Sequence, residues 1–433
     1  LHDALPISYK ANINYLQLLE QAQGTDGLQL PDKLRYKAKK KKELLQEKIF
    51  ARNPGKEYGA EVSFGSIPDG SVQQSFEDGI IKCTYSREWI EENQDYPTLL
   101  NNFIYMFGFV DRQFRSSFVS FISQVSPSER LVGIKGKKDY LFGIAFQSKK
   151  ILSTLQMAAY NRELQRLDIC LEDIFKWFFE EYLKCEFSAI GFTYSPPSKG
   201  TTVVEKCKLL ASAIDGVLKQ YRLYCEDGIV NRELLEMSSG QIVFGSLEGC
   251  IGNKYAYVSS KKLTNEMFLL FSDQSMMRYT KKTKGRYSTV PQLLLSEEIR
   301  CDDYEEYQVH TLEWLIKRGS IIITSSGCLS INQERVFVLK DLFYNEVICP
   351  NYYGDSLNKQ LEALIQDGEL CYGSTLFSRP EQAYLNFILN KSEYSNSLDL
   401  RNKYIHDTCP QTEAAQYSDY LELQKIMVLI NDN

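Results

Sequence analysis

The sequence predicts a mixed, mainly α fold: mixed α/β N-terminal and middle regions followed by a C-terminal α-helical up-down bundle. Three observations carry that reading. Several segments repeat apolar residues at the three-and-four spacing of a helix face. The strand-like runs are short and bounded by turn formers, enough for small sheets and hairpins only. From about Arg335 onward the chain reads as a succession of helices with short connections, the pattern of an antiparallel bundle.

A chain of 433 residues has the length for about two to four domains. Hydrophobic content of 43% and charge of 24% are ordinary for a globular protein. The net charge of -6 excludes a chain that coats nucleic acid through bulk charge, while leaving room for a local basic site. The 11 cysteines are scattered, with no Cys-x-x-Cys pair, and histidine is scarce, so no zinc site, other metal or cofactor is expected. They read as buried, reduced thiols of a cytoplasmic protein. The best candidate for a membrane span, Phe103 to Val110, is far shorter than the roughly 18–20 apolar residues a span needs. Residues 1–8, Leu1-His2-Asp3-Ala4-Leu5-Pro6-Ile7-Ser8, resemble translated sequencing-adapter DNA. They are set aside from fold reasoning, with the expectation that the native N-terminus is missing and that His2 is not part of it.

An α+β region is expected over 9–195. Tyr9 to Ala22 reads as a helix. Asp32 to Phe50 follows with Leu34, Ala38, Leu45 and Ile49 on one face and the run Lys39-Lys40-Lys41-Lys42. That run could form a phosphate-binding face. Glu43 and Glu47 follow at once and favour a solvated helix. Ala60–Phe64 and Gly79–Tyr85 read as strands, and Tyr96 to Val110 as an apolar helical stretch. Lys135-Gly136-Lys137-Lys138 lacks the spacing of a P-loop and reads as a turn. Leu171, Ile174, Phe175, Phe178, Tyr182 and Leu183 stripe a helix near 170–186. Ser195-Pro196-Pro197-Ser198-Lys199-Gly200 then suits a hinge.

A middle region, 201–330, opens on a capping box, Thr202 with Glu205, before a helix that ends at Glu226-Asp227-Gly228. Ile242-Val243-Phe244 and Tyr255-Ala256-Tyr257-Val258 look β-like. Met277 to Tyr287 interleaves five cations with two tyrosines. It could track a phosphate backbone, and reads more simply as an exposed loop. Tyr304 to Arg318 is a helix on which His310 suits a hydrogen-bonded packing role. Ile321–Thr324 and Cys328–Ile331 form a hairpin around Ser325-Ser326-Gly327. That helix and hairpin loosely resemble a winged helix, but Glu305, Glu306 and Glu313 suit a packing unit better than a DNA-reading face.

The last region, 335–433, holds the candidate site. There are three histidines, His2, His310 and His406, and His406 stands five residues after Arg401 in Leu398-Asp399-Leu400-Arg401-Asn402-Lys403-Tyr404-Ile405-His406-Asp407. On a helix a five-residue step turns roughly 500°, so the two side chains point to neighbouring sides and converge only on something that bridges the helix, or on a second copy. Imidazole suits proton transfer near neutral pH, and the guanidinium fork suits phosphate oxygens. His406 is therefore assigned to proton transfer, Arg401 to phosphate binding and charge stabilisation, and Asn402 to orienting one of them. Asp399, Asp407 and Tyr404 could assist.

Arg401-Asn402-x-x-x-His406 resembles the Arg-x4–6-His motif of the HEPN superfamily (higher eukaryotes and prokaryotes nucleotide-binding), including the polar residue after the arginine. The apolar helix Ala383–Asn390 before it and Tyr420–Ile430 after it fit that context. The resemblance covers about the last hundred residues and nothing earlier. It implies an RNA substrate, metal-independent cleavage by the RNA's own 2′-OH, and two motifs paired across a two-fold axis in a homodimer. An antitoxin or regulatory partner, in a toxin or antiphage-defence system, would fit the same class. Family members often carry glycine after the histidine, where this chain has Asp407. Two other readings stand beside it: a non-catalytic HEPN-like module for RNA or nucleotide binding or dimerisation, and a helical protein in which Arg401 and His406 merely finish a helix.

Overall fold

The computed structural model describes residues 11–21, 30–52, 59–125, 129, 138–237, 240, 242–406 and 408–433. The adapter-like residues 1–8, Lys135–Lys137 and Asp407 lie outside them. In chain order the elements are α1 (Ile13–Gln21), α2 (Asp32–Arg52), β1 (Gly59–Gly65), β2 (Val72–Glu77), β3 (Ile80–Ser86), α3 (Arg87–Glu92), α4 (Tyr96–Tyr105) and α5 (Ile144–Arg166). Next come α6 (Leu171–Trp177), a π-helical turn (Phe178–Tyr182), α7 (Leu183–Phe187), α8 (Val203–Asp227), α9 (Arg232–Met237), β4 (Tyr255–Val258), α10 (Lys261–Phe271), α11 (Val290–Ser296) and α12 (Glu306–Lys317). The rest are β5 (Ile321–Ile323), β6 (Leu329–Ile331), α13 (Gln333–Asn345), α14 (Asp355–Gln366), β7 (Leu370–Gly373), α15 (Arg379–Leu389), α16 (Leu400–Ile405) and α17 (Glu413–Asp432). The protein is mixed and mainly helical, with small sheets. No described helix is long and apolar enough to cross a membrane.

Two compact units result. Unit 1 takes residues up to 110, 116–242 and 383–433, and unit 2 takes 111–115 and 243–382. The helices after Arg335 therefore do not form one local bundle. Helices α13 and α14 belong to unit 2, the boundary falls inside α15, and α16 and α17 return to unit 1. The reason is contact choice: α17 packs against α5 and α8, far earlier in sequence.

In unit 1, β3 pairs parallel with β1 and antiparallel with β2. The β2–β3 turn is Asp78-Gly79, both at positive φ, the two-residue geometry that matches strand twist. One sheet face buries Cys83 and Tyr85. There Phe64, Tyr85, Phe103, Phe107 and the α5 residue Tyr160 form an aromatic cluster with centroids 4.9–6.5 Å apart. Helix α8 begins with the expected capping box, Thr202 Oγ1 accepting from the Glu205 amide at 3.3 Å and Glu205 accepting from the Thr202 amide at 3.2 Å. Gly228 ends it in the left-handed conformation.

Helix α17 is buried on every side from Tyr420 to Leu429, including Glu422, Gln424 and Lys425. Those polar groups are satisfied. Lys425 Nζ lies 3.0 Å from Glu422 and donates to Ser153 and Thr154 at 3.1 and 3.2 Å. Gln424 accepts from Asn161 at 2.6 Å and donates to Glu172 at 3.0 Å.

Unit 2 joins β4 antiparallel to β7, and β5 to β6 as the expected hairpin. Its core contains a fully buried Glu266 clasped by Arg318 at 2.5 Å and Arg335 at 3.0 Å, with Arg318 also bound to Glu369 at 2.5 Å. Arg115 is likewise buried, donating to Asp111 and Asp341, each at 2.7 Å. Three expectations fail here. Ile242–Phe244 is no strand, and Phe244–Ser246 is a 3-10 turn. His310 is exposed rather than packed, because α12 buries Gln308, Leu312 and Leu315, a stripe from which His310 points away. No described cysteine is in a disulfide, but only Cys83, Cys207 and Cys349 are buried, while Cys185 and Cys250 are exposed.

The stretch 277–287 is a tightly held loop. Arg278 donates to the Gly285 and Tyr287 carbonyls, Lys282 pairs with Asp303 at 2.8 Å, and Arg286 with Glu297 at 3.5 Å. Its cations are thus largely committed to the fold.

Candidate functional site

The short helix α16 sits between two buried anchors. Leu400 and Tyr404, four residues apart and so on one face, are both fully buried and dock α16 on α8. Asp399 precedes the helix in the left-handed conformation, with its carboxylate mostly buried. Its Oδ1 accepts from Asn402 Nδ2 at 2.7 Å, and its Oδ2 lies 3.5 Å from Lys391. The Asn402 side chain thus ties the first turn of the helix to the residue before it, and among the described residues no hydrogen bond joins it to the Arg401 side chain or the His406 imidazole.

Arg401 turns toward α8, where Asp215 Oδ2 accepts from Nε at 2.6 Å and lies 2.5 Å from Nη2. The two side chains are about one-fifth exposed, 21% and 19%. Both contacts fall on one carboxylate oxygen, so a single edge of the guanidinium is held. Among the described residues no partner takes Nη1, and an arginine has five N–H groups to give.

His406 closes α16, its amide bonding to the Asn402 carbonyl at 3.0 Å, and its side chain is exposed. An imidazole here sits at the negative end of the helix, though six residues make only a small dipole. No hydrogen bond or ion pair among the described residues joins His406 to Arg401. The sequence expectation of neighbouring sides holds in this sense: one side chain faces α8, the other solvent.

Tyr404, suggested as an extra hydroxyl, is turned into the core. Its hydroxyl donates to Asp419 at 3.0 Å. Burial, with the nearby Cys207 and Asp419, pushes its phenol well above the usual range. Burial also raises the Asp419 carboxyl, against the hydrogen bond from Tyr404 and the charge of Lys403. The same burial pushes the Cys207 thiol up to about 12. These are structural groups.

Sequence reasoning missed Asp215 and Lys403. Asp215 lies about 100° round α8 from Ile214, at the flank of the apolar stripe, and its neighbours in sequence give no sign of the arginine it meets. Lys403 lies on α16 between the two motif residues and lines a cavity that also takes α2 lysines. Among the described residues no group of three or more His, Cys, Asp or Glu side chains is placed to hold a metal ion. No protein-family model, no curated protein and no solved structure matches this chain.

Proposed function

We propose that this chain is a metal-independent endoribonuclease of HEPN type whose site is built on α16. One observation carries the reading: a guanidinium anchored along one edge, with Nη1 uncommitted, and an exposed imidazole share the same short helix. Asp215 fixes the orientation of Arg401 and leaves donors for a phosphate oxygen. In the reaction the 2′-OH of the RNA attacks the adjacent phosphorus, the 5′-oxygen leaves, and a 2′,3′-cyclic phosphate forms. His406 moves a proton, as base toward the 2′-OH or acid toward the 5′-oxygen. Arg401 stabilises the extra charge on the pentacoordinate phosphorus. A single imidazole cannot take both proton roles in one step, which is why the reading includes a homodimer with two motifs facing across a two-fold axis.

The Arg401–Asp215 pair also favours a second reading. Its charges cancel, so α16 could be an inert strut in a binding or dimerisation module. The test is cleavage of end-labelled RNA by the full chain in excess chelator. His406→Ala and Arg401→Ala are expected to abolish it, and Arg401→Lys, which keeps the charge but loses the fork, to slow it strongly. DNA, lacking the 2′-OH, stays intact. Chain that binds RNA without cutting it establishes the module instead.

A further inference from the structure

Unit 1 contains a cavity of about 830 Å³. Its cations are Arg35, Lys39 and Lys42 of α2, Lys138, Lys391, and Lys403 of α16. Three carboxylates, Glu20, Asp139 and Glu393, share the lining, which leaves an excess of positive charge. Part of that charge is already spoken for. Lys42 pairs with Glu20, Arg35 with Asp32 at 3.3 Å, and Lys391 with Asp399 at 3.5 Å. Lys39, Lys138 and Lys403 have no ion-pair partner among the described residues, and they come from three separate parts of the chain. Three such lysines around one hollow raise the local positive potential and favour an anion there.

The rest of the lining says which anion. Tyr394 and Phe142 present half-buried rings, and Asn396, held at both ends by the Tyr140 backbone, fixes the wall between them. Ser397, on the same wall, has a buried hydroxyl with no hydrogen-bond partner among the described residues. Separated cations beside aromatic rings suit a chain of phosphates with flat bases, the chemistry of a single strand. Lys403 brings α16 to the cavity wall one helical turn before His406, while Arg401, two residues earlier, faces Asp215 on the other side of the helix and is not in the lining.

We propose that this cavity seats the phosphates of single-stranded RNA and leads the strand to α16. The inference rests on RNA being the ligand of the proposed function, but not on cleavage. It also gives the lysine run of α2 a role: Lys39 and Lys42 face the cavity, whereas Lys40 pairs with Glu43 at 2.9 Å along the helix.

The experiment is fluorescence anisotropy of a short labelled oligoribonucleotide with the full chain carrying His406→Ala, in chelator, across a salt series. The comparison adds Lys39→Gln, Lys138→Gln and Lys403→Gln together, with circular dichroism to verify that the helices persist. Affinity is expected to fall at least tenfold at low salt. The slope of log affinity against log salt should become shallower by about 2, from three lost contacts at about 0.7 each. Unchanged affinity and slope in the triple variant would overturn the proposal. ATP binding that depends on the three lysines, with no RNA binding, would also overturn it and make the cavity a nucleotide site. Lysine-dependent binding without cleavage by the unaltered chain sustains the cavity and sinks only the nuclease reading. His406-dependent cleavage with unchanged binding in the triple variant does the reverse.

Discussion

Replacing Lys425 by Met should turn the buried heart of unit 1 from a pH-tolerant site into a pH-sensitive one. Lys425 is fully buried, 3.0 Å from the equally buried Glu422, and methionine fills most of the stem volume without charge. Burial alone would push the Glu422 carboxyl up, but the charges of Lys425 and Lys150 outweigh it and hold the group below its usual range. In the native protein Glu422 thus contributes stability that is present above the usual carboxylate range and lost as pH falls through its lowered value. Without Lys425, burial dominates and the carboxyl rises. Its contribution is then present below the usual range and lost as pH climbs through the raised value. Breaking a buried pair from one side costs about 3–5 kcal/mol. Thr154 still donates to Glu422 at 3.0 Å and Tyr384 lies at 3.4 Å, which places the cost toward about 3 kcal/mol. At roughly 2–4 °C per kcal/mol, Tm should drop by about 6–12 °C at pH 7. The deficit should narrow markedly near pH 4, and Glu422→Gln with Lys425→Met should recover most of it. Thermal unfolding followed by circular dichroism at both pH values measures this. A deficit of the same size at pH 4 and pH 7, or none at all, refutes the electrostatic account of α17.

Glu369→Gln in unit 2 should lower Tm at pH 7 by an amount worth about 1–2 kcal/mol. The hydrogen bonds from Arg318 hold this carboxyl low, so its contribution is present above the usual carboxylate range and fades in acid; a pH series that shows no convergence counts against it. Asp419→Asn should be neutral or stabilising at pH 7, since burial raises that carboxyl and its ionised form is the disfavoured one. A clear loss of Tm would show that the charge matters to Lys403. Gly285→Ala should destabilise unit 2 by about 1–2 kcal/mol from its left-handed backbone alone. A Cβ there would also run into the Tyr279 ring, so an unchanged denaturant midpoint would contradict the packing. Thr202→Ala should cost about 1 kcal/mol through loss of the α8 cap, with Thr202→Ser restoring it.

Periodicity made α8 and its caps legible from end to end, because one apolar stripe, one capping box and one glycine all agree. The helix near 170–186 was legible as a helix but not as α6, a π-helical turn and α7, since aromatic residues fill every register there. Strand β2 escaped notice because Val72–Glu77 is polar and mostly exposed, leaving no alternation to see. The fate of the last helices was hidden for a different reason. An apolar face announces that a helix will be buried, not which earlier helix will cover it. The same limit governed the site. Arg401 and His406 could be singled out by chemistry, while Asp215, which decides how Arg401 is held, stands 186 residues upstream. The burial of Tyr404 against Asp419 and the bond from Asn402 to Asp399 are set by the fold and leave no mark in the local sequence.

The return of the chain to unit 1 sets an order of assembly during synthesis. Unit 2 ends at Gln382, so all its strands and helices are made before α17 leaves the ribosome. Unit 1 is different: α5 and α8 are made early, yet the helix they enclose is the last described element to appear. At about 5–20 residues per second, the span from Asp227 to Glu413 takes roughly 10–40 s. Through that interval the apolar faces of α5 and α8 wait without their partner, while the intervening unit has time to fold. A pause in translation before α17 would lengthen that exposure directly.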